Sequence, residues 1–303
     1  MFYNTINHLS KRLRKNTFTI LYAHSVLEQP VNYGTTDNIP PLAFQRQVNF
    51  LKQHYHIITL QEAIERNAAG DDLKNCLALT FDDGLKDAYH IIAPILNKAK
   101  VSATFFVMND MINNQQLMWR NQLWYIQRTK KTKAHQLLGL SKRSNLLTIS
   151  KNWDMAKKDQ LTTGLWQNCG LPNIQTWLAN HQPYLTTFQI QEMHQAGFEF
   201  GAHTLTHPFC NKMTISQLEK EINITTQSLS QKLDMPITIF AYPFGVRPNA
   251  TLEEQLIQKT TLKTLLSIDF KGLNGGNPLK WGRRKMGKTL GETLFNLSVV
   301  LPF

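Results

Sequence analysis

The chain has 303 residues, 42% of them hydrophobic and 18% charged, which suits one large or two ordinary globular domains and excludes a disordered polymer. No apolar run approaches the roughly 20 residues of a membrane span, and three widely spaced cysteines, Cys76, Cys169 and Cys210, exclude a disulfide scaffold and a CxxC zinc ribbon. Lys and Arg number 33 against 21 Asp and Glu, a net +12 that favours an anionic partner without choosing among nucleic acid, phospholipid and a phosphorylated substrate.

The first residues do not read as a secretion signal, because Lys11, Arg12, Arg14 and Lys15 follow the first apolar residues instead of preceding an apolar core. Phe2, Ile6, Leu9 and Leu13 recur at helical spacing, with Lys11, Arg14 and Lys15 roughly opposite. Such a segment, 1–16, either lies on an anionic membrane face or packs its stripe on the domain. Free thiols and the missing signal together place the protein in the cytoplasm, with peripheral contact at the inner membrane face as the extension.

Seven short β-like runs then alternate with helical patterns. The strands are expected at Thr17–Tyr22, His56–Thr59, Cys76–Phe81, Ala103–Val107, Glu199–Ala202, Ile237–Ala241 and Leu265–Ile268. Helices are expected at Leu42–His54, Leu85–Lys98 and Ser216–Leu233, the last opened by a capping box from Ser216 to Glu219. Strand–helix alternation argues for a parallel α/β barrel, whose active groups sit at the carboxyl ends of the strands. Residues 109–186 break the rhythm and read as a mostly helical insertion within a catalytic domain spanning 17–303. That insertion holds five of the six tryptophans and ten Lys/Arg against three Asp/Glu. Its aromatic faces suit sugar rings and its cations suit phosphates, although most of the tryptophans are expected to form the insertion's own core.

Three strand ends carry chemistry. Cys76–Phe81 runs into Asp82-Asp83-Gly84. Two adjacent carboxylates in a buried pocket need a cation nearby, and consecutive side chains diverge, so one can bind a metal while the other meets the substrate. Glu199–Ala202 runs into His203-Thr204-Leu205-Thr206-His207-Pro208, where two histidines four apart in a turn of helical geometry chelate one ion. With a strand-end Asp they form a common ligand set for a catalytic divalent metal. Phe240-Ala241-Tyr242-Pro243-Phe244-Gly245 follows a third strand, an irregular turn in which the Phe244 N–H is able to face an oxyanion.

Taken together, Thr80–Gly84, His203–Pro208 and Phe240–Gly245 resemble the motifs of the polysaccharide deacetylase family, also called the NodB-homology or carbohydrate esterase family 4 group. The resemblance implies a distorted (β/α)7 barrel holding one divalent metal ion, commonly zinc. It implies that Asp82 is the general base and that Asp83, His203 and His207 hold the ion. The substrate would be an N-acetylated amino sugar, and Tyr242, Pro243, Trp119 and Arg284 are the expected substrate contacts. The usual Arg of the third motif is Ala241 here, with Arg283 or Arg284 as stand-ins, and the late Leu-x-His motif that supplies the general acid is missing. The Tyr22-x-His24-x-Val26 pattern resembles the first strand of members that make biofilm exopolysaccharides, where an early histidine replaces the late one; this assigns His24 as the acid.

The expectation is thus a metal-dependent N-deacetylase of surface-glycan metabolism. The basic insertion and amphipathic terminus extend it to a lipid-phosphate-linked sugar at the membrane. Deformylation and O-deacetylation would use the same groups, and a glycan-binding relative would keep the fold without turnover. A nucleic-acid-binding protein would account for the charge but leave the Asp and His residues idle, so no nucleic acid is expected.

Overall fold

Eight strands are present in the computed structural model, which describes residues 18–34, 37–268, 274 and 276–298. They are β1 (Thr19–Ala23), β2 (His56–Ile57), β3 (Cys76–Phe81), β4 (Thr104–Val107), β5 (Glu199–Ala202), β6 (Ile239–Ala241), β7 (Thr264–Leu266) and β8 (Arg284–Lys285). The amphipathic segment 1–16 with its Phe2/Ile6/Leu9/Leu13 stripe lies outside the described residues. Neighbouring strands run β7-β6-β5-β4-β3-β1-β8, all parallel, with β2 alongside the start of β3. The two ends of that path meet: Ser267 and Gly282 form a parallel bridge, and the Arg283 N–H donates to the Ser267 carbonyl at 2.8 Å. The sheet therefore curls into a distorted (β/α)7 barrel.

The seven staves are not the seven strands expected from the sequence. β2 sits off the path, and β8 completes it. Two residues flanked by Trp281 and Gly282 are too short a stretch to show a period of two.

Strand parity divides the core. Ile20, Ala78, Phe106, Ile239, Ala241 and Leu266 pack inside the barrel with Phe18 and Trp281. Leu21, Leu77, Leu79, Phe105, Phe240 and Leu265 face the helices. Such two-sided burial is what makes parallel strands read as continuous apolar runs.

The surrounding helices are α1 (Pro41–His54), α2 (Leu60–Ala68), α3 (Ala93–Ala99), α4 (Trp119–Thr129), α5 (Lys131–Leu137), α6 (Leu146–Ile149), α7 (Lys158–Asn168), α8 (Ile174–His181), α9 (Thr187–Gln195), α10 (Ile215–Leu233), α11 (Ala250–Lys259) and α12 (Leu290–Ser298). α4 to α8 fill the stretch between β4 and α9. Two helix expectations need correction. The helix expected over Leu85–Lys98 starts with a π turn at Ala88–Ile92, where the Ala93 N–H reaches back five residues to the Ala88 carbonyl. Pro94 has no N–H to give to His90, so the regular ladder is interrupted there. α10 is capped by Thr214 with Gln217, not by Ser216 with Glu219. Two overlapping Ser/Thr-x-x-Gln/Glu patterns compete, and the earlier one adds a half-turn of helix. Among the described residues no helix is long and apolar enough to cross a membrane.

Candidate active site

Asp82 follows β3 on the parity of Ala78 and Thr80, so its carboxylate stays over the barrel interior. It is 4% exposed. Arg283, fully buried, rises beneath it: Nη1 lies 2.6 Å from Oδ1 and Nη2 lies 2.8 Å from Oδ2, while Nη1 also donates to Thr80 Oγ1 at 3.2 Å. The Arg283 guanidinium is further held over the rings of Tyr22 and Phe106. Burial would raise the Asp82 carboxyl, but Arg283, His203 and His24 outweigh it and hold the group below its ordinary value. This side chain is therefore an anion at neutral pH, aimed and held by a rigid fork.

Asp83 turns the other way. Its φ of 73° and the 59° of Gly84 kink the chain immediately after β3. A Cβ on Gly84 would stand 2.9 Å from Val107 Cγ1, so glycine is needed both for the backbone angle and for the close approach of β4. Asp83 Oδ1 lies 3.5 Å from His203 Nε2 and 3.3 Å from His207 Nε2. Burial disfavours its charge, and the two imidazoles outweigh that, holding its carboxyl well below the ordinary range.

His203 extends β5, its N–H donating to the Val107 carbonyl at 3.0 Å. Its Nδ1 is 2.8 Å from the Ala241 carbonyl, a contact that makes Nδ1 the donor and leaves the Nε2 lone pair facing Asp83. The segment from His203 to His207 is not helical, contrary to the sequence expectation. Thr204 (φ 69°) and His207 (φ 59°) are both left-handed, and the Thr204 hydroxyl takes the His207 N–H at 3.0 Å. Glu221 on α10 takes the N–H groups of Leu205 and Thr206 at 2.9 and 2.8 Å and the Thr206 hydroxyl at 2.6 Å. The His207 carbonyl accepts Trp119 Nε1 at 2.8 Å. Burial lowers the His207 imidazole, with Asp83 opposing, and a neutral imidazole is the form that binds a metal. Left-handed non-glycine residues at Asp83, Thr204, His207 and Phe244 concentrate backbone strain at one place, as functional sites do.

One ligand atom from each of Asp83, His203 and His207 lies within 4.8 Å of the others, and all three residues are buried. Asp83 Oδ1 has no hydrogen-bond partner, nor has His207 Nδ1. A buried carboxylate oxygen facing two imidazole nitrogens and bonded to none is an incomplete polar cluster. A divalent cation would complete it, and the donor set of two nitrogens and one oxygen would fit such an ion.

Of these groups Asp83 and His207 line a pocket of about 340 Å³, together with His24 and Phe244, whereas Asp82 and His203 lie behind its lining. His24, at the end of β1, is partly exposed, and the neighbouring Ser25 and Val26 are pinned by Asp87: Oδ2 takes the Ser25 hydroxyl at 3.0 Å and the Val26 N–H at 2.6 Å. Burial pushes the Asp87 carboxyl up to about 6 against those two bonds.

The expected substrate contacts lie elsewhere. Trp119 is fully buried and packs edge-on to Phe244 and Phe209. Tyr242 is buried with its hydroxyl on Glu253 at 3.0 Å, and Pro243 is buried beside it. Arg284 donates Nη1 to the Asn296 carbonyl of α12 at 2.9 Å. The pocket wall is instead made by Met118, Arg120, Asn121 and Trp124 at the start of α4, with Tyr33 across from them. Trp119 is turned to the interior, while Arg120 and Trp124, one helical turn apart, share the face that reaches the pocket. His194 on α9 touches the Phe198 carbonyl and is remote from the pocket lining.

The sequence model of the family described as polysaccharide deacetylase matches residues 69–263. The chain is 26% identical over 180 residues to the poly-beta-1,6-N-acetyl-D-glucosamine N-deacetylase of Staphylococcus epidermidis, covering 56% of this chain and 61% of that protein. It is 29% identical over 158 residues to that of Staphylococcus aureus, covering 46% and 52%. The chain thus spans about half to three-fifths of the length of these curated relatives. In fold it resembles the deacetylase PplD of Streptococcus pyogenes solved with acetate, with a TM-score of 0.61, 18% identity, and 93% and 98% of the two chains covered. IcaB from Ammonifex degensii gives 0.59, 18%, 94% and 99%.

Proposed function

The chain belongs to the polysaccharide deacetylase family, and from that premise we propose that it is a metal-dependent hydrolase removing the N-acetyl group of an amino sugar in a surface or lipid-linked glycan. The observation that carries this reading is the pairing of an arginine-oriented Asp82 with the adjacent buried Asp83/His203/His207 cluster, of which Asp83 and His207 line one pocket. Zinc suits two imidazoles and a carboxylate. Such an ion, when bound, polarises the amide carbonyl and lowers the pKa of water from 15.7 to roughly 7.

Asp82 is the general base: it takes a proton from the attacking water, with Arg283 holding both its oxygens in place. The Phe244 N–H, in its left-handed turn, meets the negative charge that develops on the carbonyl oxygen. His24 then protonates the departing nitrogen, so that acetate and a free amino sugar leave.

The test is metal analysis of the purified chain together with acetate release from N-acetylated glucosamine oligomers. Stoichiometric metal and acetate release that stops on chelation support the reading. Glycan binding with neither metal nor acetate would replace it with a binding protein, and release of formate or of O-linked acetate alone would move the substrate but keep the machinery.

A further inference from the structure

Three residues of α4, Arg120, Trp124 and Arg128, stand four apart and share one helix face. Arg120 and Trp124 line the reaction pocket, and the Arg128 guanidinium lies 4.4 Å from the Trp124 ring centroid. Three other cations each have a carboxylate: the buried Arg283 and Lys158 and the half-buried Arg247. Arg283 has Asp82, Arg247 has Glu253 and Lys158 has Asp159.

Arg120 differs. Among the described residues it forms no ion pair; its Nη1 donates to the Leu147 carbonyl at 2.6 Å and to Ser150 Oγ at 2.9 Å. Those bonds clamp one corner of a group with five N–H donors. The guanidinium lies over the rings of Trp119 and Phe244, 5.3 and 5.4 Å from their centroids. Burial alone pulls it down to about 10. Arg128 shares the pattern: its Nη1 donates to the Val31 carbonyl, and its buried Nη2 has no partner. Both side chains are half-buried; a cation partly withdrawn from water without a counter-charge gains from an anion beside it, and a fixed, planar fork matches phosphate or carboxylate.

We propose that the Arg120–Trp124–Arg128 face of α4 is a substrate subsite for an amino sugar carrying an anionic substituent, a phosphate or a carboxylate, with Arg120 as the anchor beside the reacting centre. The inference rests on reading the pocket as the deacetylase site. It narrows the substrate from any N-acetylated sugar to a negatively charged one, for which the chain's excess of positive charge also provides electrostatic attraction.

The experiment is calorimetric titration of the metal-loaded full chain carrying Asp82→Asn, which binds without turnover. The probes are N-acetylglucosamine, N-acetylglucosamine 1-phosphate and N-acetylmuramic acid. One of the anionic sugars should bind roughly tenfold or more tightly than the neutral one, the size of a charge-assisted contact, and which one does so separates phosphate from carboxylate. Adding Arg120→Gln should cut that margin roughly tenfold, while Arg120→Lys should retain part of it. Contact of a phosphate with the metal is common to all variants, so the change in the margin on substitution is the readout. Equal affinity for the three sugars with Arg120 intact, which needs no further variant to fold, overturns the proposal, as does a margin that Arg120→Gln leaves unchanged. Acetate release by the unsubstituted chain is measured separately, so failure of the deacetylase reading is seen independently of the anion preference.

Discussion

Arg283 holds both carboxylate oxygens of Asp82 from inside the barrel, at 2.6 and 2.8 Å, and neither residue has more than 4% of its surface exposed. A buried pair of this kind is costly to break, because the surviving charge is left without a partner. Arg283→Ala should destabilise the fold by about 3–5 kcal/mol. Arg283→Lys keeps the charge but loses the fork, and should fold while losing most turnover. The sign of the pH effect follows from the causes. With Arg283 present the Asp82 carboxyl lies below its ordinary value, so its stabilising contribution is present above the unfolded carboxylate range and lost as pH falls through the folded pKa. Without Arg283 burial dominates and the pKa rises. Arg283→Lys keeps the lowering charge but loses the paired hydrogen bonds that also lower the group, so the acidic limb of the rate profile should move part of the way to higher pH, and an unmoved limb would remove Arg283 from the positioning of the base.

How much of this was legible beforehand differs by element. Cys76–Phe81 and Glu199–Ala202 were readable residue for residue, because each is a short, mostly apolar run that ends in Asp82 or His203. The Arg–Asp pair was half legible. Arg283 and Arg284 are adjacent, and strand parity sends one inward and one toward α12, but a two-residue strand offers no period from which to choose. Which side chains of α4 line the pocket was hidden for a related reason. Trp119 drew attention as an aromatic in a basic insertion, yet its indole is an internal brace for His207. Arg120 and Trp124 share the face that reaches the pocket, and only the phase of α4 relative to the barrel settles which face that is. The left-handed turns at Thr204 and His207 left no trace at all, since neither residue is a glycine.

Metal content should separate the adjacent aspartates. Asp83→Asn, His203→Ala and His207→Ala each remove a donor from the cluster within 4.8 Å and should lower bound metal sharply. Asp82→Asn leaves that cluster intact and should keep its metal while turnover falls by a factor of 10² or more. Elemental analysis of the four purified variants checks this, and the opposite pattern would exchange the roles of Asp82 and Asp83.

The brace on His207 has its own consequence. Trp119→Phe keeps the aromatic bulk but removes the Nε1 donor to the His207 carbonyl, a loss of about 0.5–1.5 kcal/mol. Glu221→Ala removes the acceptor that gathers Leu205 and Thr206. Both should weaken metal affinity, Glu221→Ala by 10–100-fold as for other groups that support metal ligands. Competition with a chelator of known affinity measures it. A raised KM with unchanged metal affinity in Trp119→Phe would return Trp119 to the substrate.

The leaving nitrogen needs a proton, and the structure brings His24 to the pocket with Asp83 and His207. Its position is not left to a mobile strand end. Asp87 fixes the next two residues through the Ser25 hydroxyl and the Val26 N–H, and the Tyr22 ring meets the His24 ring edge-on at 5.8 Å between centroids. His24→Gln keeps a polar side chain of similar reach and should lower kcat by 10²–10⁴, the usual weight of general acid catalysis. Bound metal should stay unchanged. Asp87→Asn should give a smaller loss, because the acid remains and only its placement suffers. Turnover and metal content measured together decide between the alternatives. Near-normal turnover in His24→Gln would exclude the acid role, and loss of metal would make His24 a fourth ligand.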